Sequence, residues 1–378
     1  MKIVIDDKIP FIRGVFEPFG EVVYLPGKET TAQVVRDADA IITRTRTKCD
    51  AALLDGSSVR VIASATIGYD HIDTEWCESR GIVWENAPGC NSWSVEQYIA
   101  SLLVTLARKR GLKLEGMTLG VVGVGNVGSK VARVAGLLGM TVLLNDPPRA
   151  RREGPEGFVS IDTVIADSDI ITVHVPLIRD GVDATWHLFD ADRISWLGQH
   201  QILINSSRGS VVDNAALKDA LKSGALGGAA LDVWEGEPDL DPELVSLLDI
   251  STPHIAGYSA DGKANGTTAA VRTVARVLGL PLTDWKANGI PAPAQPLAFT
   301  LAAEGKTLAQ VLSEAILYTY DISSDSERLR GSLGTFERQR GDYPVRREFS
   351  AYSLTLKGGT PQMASTLAKI GFNINDQI

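Results

Sequence analysis

Short apolar, β-branched runs recur along the first 250 positions, and longer polar or amphipathic stretches separate them. Lys2–Asp6, Val22–Leu25, Ala40–Thr43 and Arg60–Ala63 read as strands of a first series reaching about residue 93. Strands alternating with helical segments indicate βαβ units on a parallel sheet, because parallel neighbours need a crossover between them. A helix is expected over Ser94–Lys109, with Ser92 or Ser94 as N-cap and Glu96 and Gln97 in the first turn. Arg108, Lys109 and Arg110 complement its negative end. A second series follows through Thr118–Val124, Thr141–Asn145, Ile170–Val175, Gln201–Asn205, Gly228–Val233 and Leu248–Thr252.

The texture then changes. The proline-rich stretch ANGIPAPAQP over 287–296 predicts an extended connection. Beyond it Leu308–Tyr320 has a helical pattern, Ser323–Asp342 is polar and charged, and Arg347–Leu356 alternates like a strand. The fold class is therefore α/β, with residues 287–378 forming an additional C-terminal α+β domain.

Composition narrows the function more than the fold. A hydrophobic content of 44% over 378 residues supports more than one folded core. The net charge of −9 argues against nucleic acid as a partner, while leaving room for a local basic pocket. The longest apolar run, Ile99–Ala107, stops at Arg108 and is too short to span a bilayer, so no membrane partner is expected. The N-terminal residues turn acidic within six positions, unlike a secretory signal. Cys49, Cys77 and Cys90 are odd in number and form no CxxC pair, so neither a disulfide framework nor a zinc site is expected. A reducing cytoplasm fits this usage. HExxH and GxxxxGK[ST] are absent, and no metal is expected.

Gly123-Val-Gly-Asn-Val-Gly128 follows a predicted strand and opens a predicted helix over Gly128–Leu138. In that context Gly123 permits a tight turn, Gly125 lets backbone approach a pyrophosphate, and Gly128 allows close helix packing. Asp146 ends the next strand, 146 − 128 = 18 residues on, where a carboxylate binds ribose hydroxyls and repels a 2′-phosphate. NAD is thus expected over NADP, although Arg149, Arg151 and Arg152 lie close by in sequence.

Three more segments close predicted strands: SSRG with Arg208, DVWEGEP with Glu237, and TPHIAGY with His254. In an open parallel sheet ligands sit beyond the carboxyl ends of the strands, so these side chains can converge. Oxidising a 2-hydroxy acid requires a base for the hydroxyl proton, which suits His254 near neutrality. It also requires a carboxylate to hold that imidazole, for which Glu237 is placed, and a cation for the substrate carboxylate, for which Arg208 is placed. His174 ends another strand near the cofactor loop and reads as structural or as a support to the site rather than catalytic; His71, His187 and His200 read as surface or turn residues.

GVGNVG with Asp146, then SSRG, DVWEGEP and PHIAGYS, resemble in order the D-isomer-specific 2-hydroxyacid dehydrogenases over about residues 60–280. The resemblance implies two doubly wound Rossmann-like domains with the active site between them. One is a substrate (lid) domain from residues 1–93 and a return segment 253–286, the other an NAD-binding domain over 94–252. It implies catalysis by Arg208, Glu237 and His254 and substrate contacts from Thr45, Thr66 and Tyr258. NAD contacts are implied for Gly123, Gly125, Asn126, Val127, Gly128, Asp146, Val175, Ser206, Ser207, Arg208, Asp232 and Gly257. Val175 stands where many relatives carry Thr, so one cofactor hydrogen bond is expected to be missing.

Within the family, ASATIGYDHID (63–73), APGCNS (87–92), TPHIAGYSADG (252–262) and RREF (346–349) are most similar to a branch that oxidises a phosphorylated four-carbon acid. That branch forms a homodimer through its C-terminal domain. A phosphate needs cations, and Arg44, Arg46 and Lys48 cluster after the third strand. Oxidation of another D-2-hydroxy acid, such as 3-phosphoglycerate, stays open, as does an NAD-sensing corepressor-like binding protein. The full Arg, Glu and His set weighs against a sensor.

Overall fold

The structure is a computed structural model that describes residues 1–375. The chain forms two compact units, one of Met1–Asn91 with Ser259–Pro291, the other of Ser92–Tyr258 with the segment from Ala292 onward.

The first unit holds five strands: β1 (Lys2–Asp6), β2 (Glu21–Leu25), β3 (Ala40–Thr43), β4 (Val61–Ser64) and β5 (Val83–Glu85). All pair in parallel in the order β2-β1-β3-β4-β5. Successive strand residues face opposite sides, so each apolar run feeds two cores. Ile3, Ile5, Ile42 and Val61 pack with Ala270, Val271 and Val274 of the helix Ala260–Leu278. Val4, Ile41 and Ile62 pack with Val35, Leu54 and Cys77 on the other side.

In the second unit β6 (Thr118–Val122), β7 (Thr141–Asn145), β8 (Ile170–Val173), β9 (Ile202–Asn205), β10 (Gly228–Leu231) and β11 (Ile250–Ser251) form a parallel sheet ordered β11-β10-β9-β8-β6-β7. Val121, Ile170, Ile204 and Ala230 pack against Tyr98, Ile99, Leu102 and Val131. Val122, Ile171, Leu203 and Leu231 pack on the opposite face with Val164, Leu217 and Leu244. Each such fully buried aliphatic side chain contributes about 1.5–3 kcal/mol.

The sequence reading overruns the ends of four strands of the second series. β6, β8 and β10 stop at Val122, Val173 and Leu231, and β11 keeps only Ile250–Ser251. Beyond the first three of these ends Val124, Val175 and Val233 prolong the β-branched pattern, but the chain has already left the ladder there.

The expected helix begins earlier, at Ser92, and runs to Arg110; Ser92 and Ser94 lie inside it rather than capping it. Every residue from Ser94 to Leu106 is buried, which explains its weak amphipathic pattern. Three of its polar side chains bond to the C-terminal segment: Ser94 donates to Glu348 at 2.9 Å, Gln97 to the Arg347 carbonyl at 2.9 Å, and Ser101 to the Tyr320 carbonyl at 2.8 Å.

That segment carries a parallel sheet of β12 (Ala298–Ala302), β13 (Ser353–Lys357) and β14 (Asn373–Asn375), with β13 central. Of the expected strand Arg347–Leu356 only its last part is extended; Phe349–Ala351 makes a 3₁₀ turn. The polar span contains two helices, Ile322–Gly331 and Phe336–Gly341, and Pro361–Ile370 adds another. Leu312, Ile316, Leu354 and Leu367 share one core with Ala100, Val104 and Val134 of the nucleotide-fold helices. The segment is thus continuous with the second unit.

Candidate active site

The residues singled out in the second unit all follow the carboxyl ends of its parallel strands. Gly123 follows β6, Asp146 β7, Val175 β8, Ser206–Arg208 β9, Asp232 β10 and His254 β11. A single edge of the sheet therefore presents them, the arrangement in which α/β folds bind ligands.

His254 Nδ1 lies 2.9 Å from Glu237 Oε2, and Glu237 Oε1 accepts the Trp234 N–H at 2.9 Å. With Glu237 ionised, the ring donates from Nδ1, which leaves Nε2 as its free basic position. Burial pushes the Glu237 carboxyl up, but the bond and charge of His254, the Trp234 N–H and the Arg340 charge together hold it below its ordinary value. His254 has φ 56°, a left-handed conformation disfavoured for a side chain of this size.

Asp232 explains how that conformation is held. Its buried carboxylate accepts the N–H groups of Ile255 at 2.8 Å and Ala256 at 2.9 Å, and its backbone carbonyl accepts the His254 N–H at 2.7 Å. Thr252 donates to it at 2.6 Å, so Tyr98, 2.7 Å from Thr252 Oγ1, donates in turn. Expected as a cofactor contact, Asp232 has its carboxylate engaged by three donors of the His254 loop. The role of Tyr98 was invisible in sequence, where it reads as one more apolar helix position.

Arg208 is half-buried and donates to the Ser207 carbonyl at 2.8 Å. Asn205 pins the turn, accepting from Ser207 and donating to the Arg208 carbonyl at 2.9 Å. A Cβ at Gly209 would fall 2.0 Å from the Trp234 carbonyl, so only glycine lets the SSRG and EGEP loops touch. Glu235 extends the second loop's support. It accepts from Asn214 N–H at 3.0 Å and lies 2.8 Å from His187 Nε2. His187, read as a surface or turn residue, is thereby part of the loop's scaffold. With Asp213 and Glu235 it is the group of possible metal ligands found among the described residues, and these hydrogen bonds already occupy it.

The dinucleotide loop fits a pyrophosphate. Gly123 has φ 87° and a Cβ there would meet the His174 carbonyl and Val175 Cγ1, both at 2.7 Å. At Gly128 a Cβ would fall 1.9 Å from the Gly123 carbonyl, whereas at Gly125 it would meet no atom within 4 Å. Gly125 has open space beside the start of the helix Gly128–Leu137, which no side chain caps, and uncapped helix starts of this kind suit phosphate oxygens. The Ser206 hydroxyl is buried without a protein partner on the same sheet edge.

Asp146 accepts from the Val124 N–H at 2.8 Å and the Arg149 N–H at 2.9 Å, so it ties the glycine loop to the helix Pro147–Glu153 that it caps. The three neighbouring arginines are committed elsewhere: Arg149 and Arg152 to Glu153, Arg151 to Asp183. Arg149 and Arg152 thus share one carboxylate, while Arg151 has Asp183 to itself.

In the first unit, Arg44, Thr45 and Arg46 follow β3 and Thr66 follows β4. Arg44 pairs with the buried Asp6 at 3.2 Å and Lys48 with Asp50 at 2.8 Å, so part of the expected cationic cluster is already neutralised. Thr66 donates to the Gly68 carbonyl at 3.2 Å and sits 2.9 Å from the Ser64 hydroxyl. Tyr258, in the second unit, meets Tyr343 edge-on and lies under the Arg340 guanidinium at 5.7 Å.

Comparison with known proteins agrees with this chemistry. Residues 93–256 match the NAD binding domain of D-isomer specific 2-hydroxyacid dehydrogenases, and residues 293–371 match a domain of unknown function. An erythronate-4-phosphate dehydrogenase of Bacteroides fragilis is 50% identical over 94% of this chain and 99% of its own. That of Proteus mirabilis is 42% identical over 99% of each. D-lactate dehydrogenase of Aquifex aeolicus, solved with NAD and lactic acid, superposes with a TM-score of 0.63 at 26% identity, covering 77% of this chain and 100% of its own. Fold, nucleotide loop and near full-length similarity agree: the chain belongs to the D-isomer-specific 2-hydroxyacid dehydrogenase family, in the branch of the erythronate-4-phosphate dehydrogenases.

Proposed function

We propose that the chain oxidises 4-phospho-D-erythronate at C2 to (R)-3-hydroxy-2-oxo-4-phosphobutanoate in pyridoxal 5′-phosphate biosynthesis. The observation that carries this reading is the His254–Glu237 pair, 2.9 Å apart on the sheet edge that also presents Arg208. His254 Nε2 accepts the C2 hydroxyl proton, and Glu237, ionised near neutrality, stabilises the resulting imidazolium. Arg208 grips the substrate carboxylate through its planar fork. NAD, when bound, supplies the acceptor for the hydride that leaves C2. Gly123–Gly128, Asp146, Val175, Ser206–Arg208, Asp232 and Gly257 hold the dinucleotide, and Thr45, Thr66, Tyr258, Arg44 and Arg46 hold the substrate. The enzyme works in the cytoplasm as a homodimer formed through its C-terminal domain; the similarity of residues 346–349 to that branch supports this assembly.

A panel of 2-hydroxy acids assayed for NADH, with a 2-oxo acid added as acceptor in a parallel set, tests the substrate. Turnover of 4-phosphoerythronate well above 3-phosphoglycerate is expected; the reverse order overturns the assignment. His254→Ala should lower kcat about 10²–10⁴-fold while NAD still binds, and near-wild-type turnover removes His254 as the base.

A further inference from the structure

The backbone just beyond His254 is gripped from two sides. Asp232 takes the N–H groups of Ile255 and Ala256, and on the carbonyl side of the same two residues lies Arg346, from the C-terminal segment. Its Nη2 donates to the Ala256 carbonyl at 2.5 Å and reaches the Ile255 carbonyl at 3.3 Å. Arg346 is only 4% exposed, so its charge is held inside the protein. The guanidinium lies 4.5 Å over the Tyr320 ring and 5.9 Å from that of Tyr343, and both tyrosines donate to the buried Asp325.

A buried charge is expensive to desolvate and is often replaceable by an apolar side chain without loss of stability. Here Nε and Nη1 find no hydrogen-bond partner at all, so the guanidinium is poorly placed as a purely stabilising group. What it does reach is the two carbonyls adjoining a histidine held in a left-handed conformation. A strained residue keeps its conformation only where its surroundings over-determine it. Asp232 fixes the donors of that turn and Arg346 fixes its acceptors.

We propose that Arg346 is a positioning residue for His254, and that the C-terminal segment thereby forms part of the catalytic apparatus as well as of the fold. The inference rests on His254 being the base. It assigns a task to the segment that assembly alone does not require. Misplacing a catalytic group by about 1 Å can cost about 10²-fold in rate, so a clamp of this kind acts on kcat.

The test uses the full chain with NAD bound. Arg346→Met removes the donors while filling the space, and Arg346→Lys keeps the charge without the fork. Arg346→Met is expected to lower kcat about 10- to 100-fold, with NAD affinity and KM within a few-fold of wild type and Tm unchanged or raised. Arg346→Lys should recover part of that loss. In ¹⁵N spectra of the imidazoles, His254 should show one dominant tautomer in the wild type and a mixture in Arg346→Met. A folded Arg346→Met with wild-type kcat and an unchanged His254 signal overturns the proposal. If Arg346→Met does not fold, Arg346→Lys decides: a kcat lowered at least threefold at unchanged Tm supports the clamp, and a wild-type kcat refutes it. A wild type that ignores 4-phosphoerythronate would instead overturn the substrate reading, since the His254 tautomer is read without substrate.

Discussion

His174, like His254, follows a strand of the nucleotide-fold sheet, and its imidazole is desolvated there. Desolvation pushes His174 down to about 3, and its Nε2 lies 2.9 Å from the Thr172 hydroxyl, so it is neutral throughout the working range. Its imidazole resonances should stay flat between pH 5 and pH 9; a midpoint in that window would contradict the burial argument. Glu96 makes the converse case. Burial raises its carboxyl to about 7 against the opposing charges of Arg133 and Lys130, with Glu348 adding to the rise. A native acid with a raised pKa contributes stability that is complete below the unfolded value, near 4.5, and lost as pH climbs through about 7. Glu96→Gln should therefore narrow the Tm difference between pH 5 and pH 8, and an unchanged difference would place the pH dependence elsewhere. Asp146 serves both loop geometry and charge, so alanine confuses the two. Asp146→Ser keeps a capping oxygen and should raise the kcat/KM ratio of NADP to NAD by tenfold or more; an unchanged ratio would deny the carboxylate its part in choosing the cofactor.

At the scale of elements, the strands were legible because two-sided burial writes them as continuous apolar runs, and their carboxyl ends marked the site residues. Burial was not legible: Asp6, Glu96, Asp232 and Arg346 look like any charged residue in a sequence, yet all are buried. The reach of strands past Val122, Val173 and Leu231 was over-read because a β-branched valine stands two residues beyond each, at Val124, Val175 and Val233. β12, β14 and the helix Pro361–Ile370 escaped detection because their few apolar positions gain meaning only against a core shared with Ala100, Val104 and Val134. The small residue in SSRG carried a signal that spacing could not decode. Gly209 stands where a Cβ would strike the Trp234 carbonyl, so Gly209→Ala should force the SSRG and EGEP loops apart. Overpacking of this kind costs about 1–3 kcal/mol, and kcat should fall together with Tm. Loss of one without the other would show that the two loops are independent.

Across the molecule, the C-terminal segment and the nucleotide fold share one hydrophobic core, so the segment is not a detachable module. A chain ended at Pro291 would expose the helix Ser92–Arg110 along positions now buried, including the polar partners of Glu348, Arg347 and Tyr320. It should aggregate or bind a hydrophobic dye rather than yield a tidy monomer, and a soluble, cooperatively melting fragment would contradict this. The proposed homodimer is better tested by light scattering on the full chain, where twice the chain mass is expected. At this scale the sequence was informative about the order of parts, and silent about the joint between them.

The pairs Arg149–Glu153, Arg152–Glu153 and Arg151–Asp183 have a consequence for redesigning coenzyme use. Cations that look ready-made for a 2′-phosphate are already held by neighbouring acids, Glu153 holding two of them. If Asp146 faces the ribose as proposed, removing it abolishes a repulsion without releasing the paired guanidiniums. Conversion to NADP would also require the carboxylates at 153 and 183 to be replaced, so a single substitution yields indifference between coenzymes rather than reversal. The preference is written in the acids, and the arginines become readable only after those acids are changed.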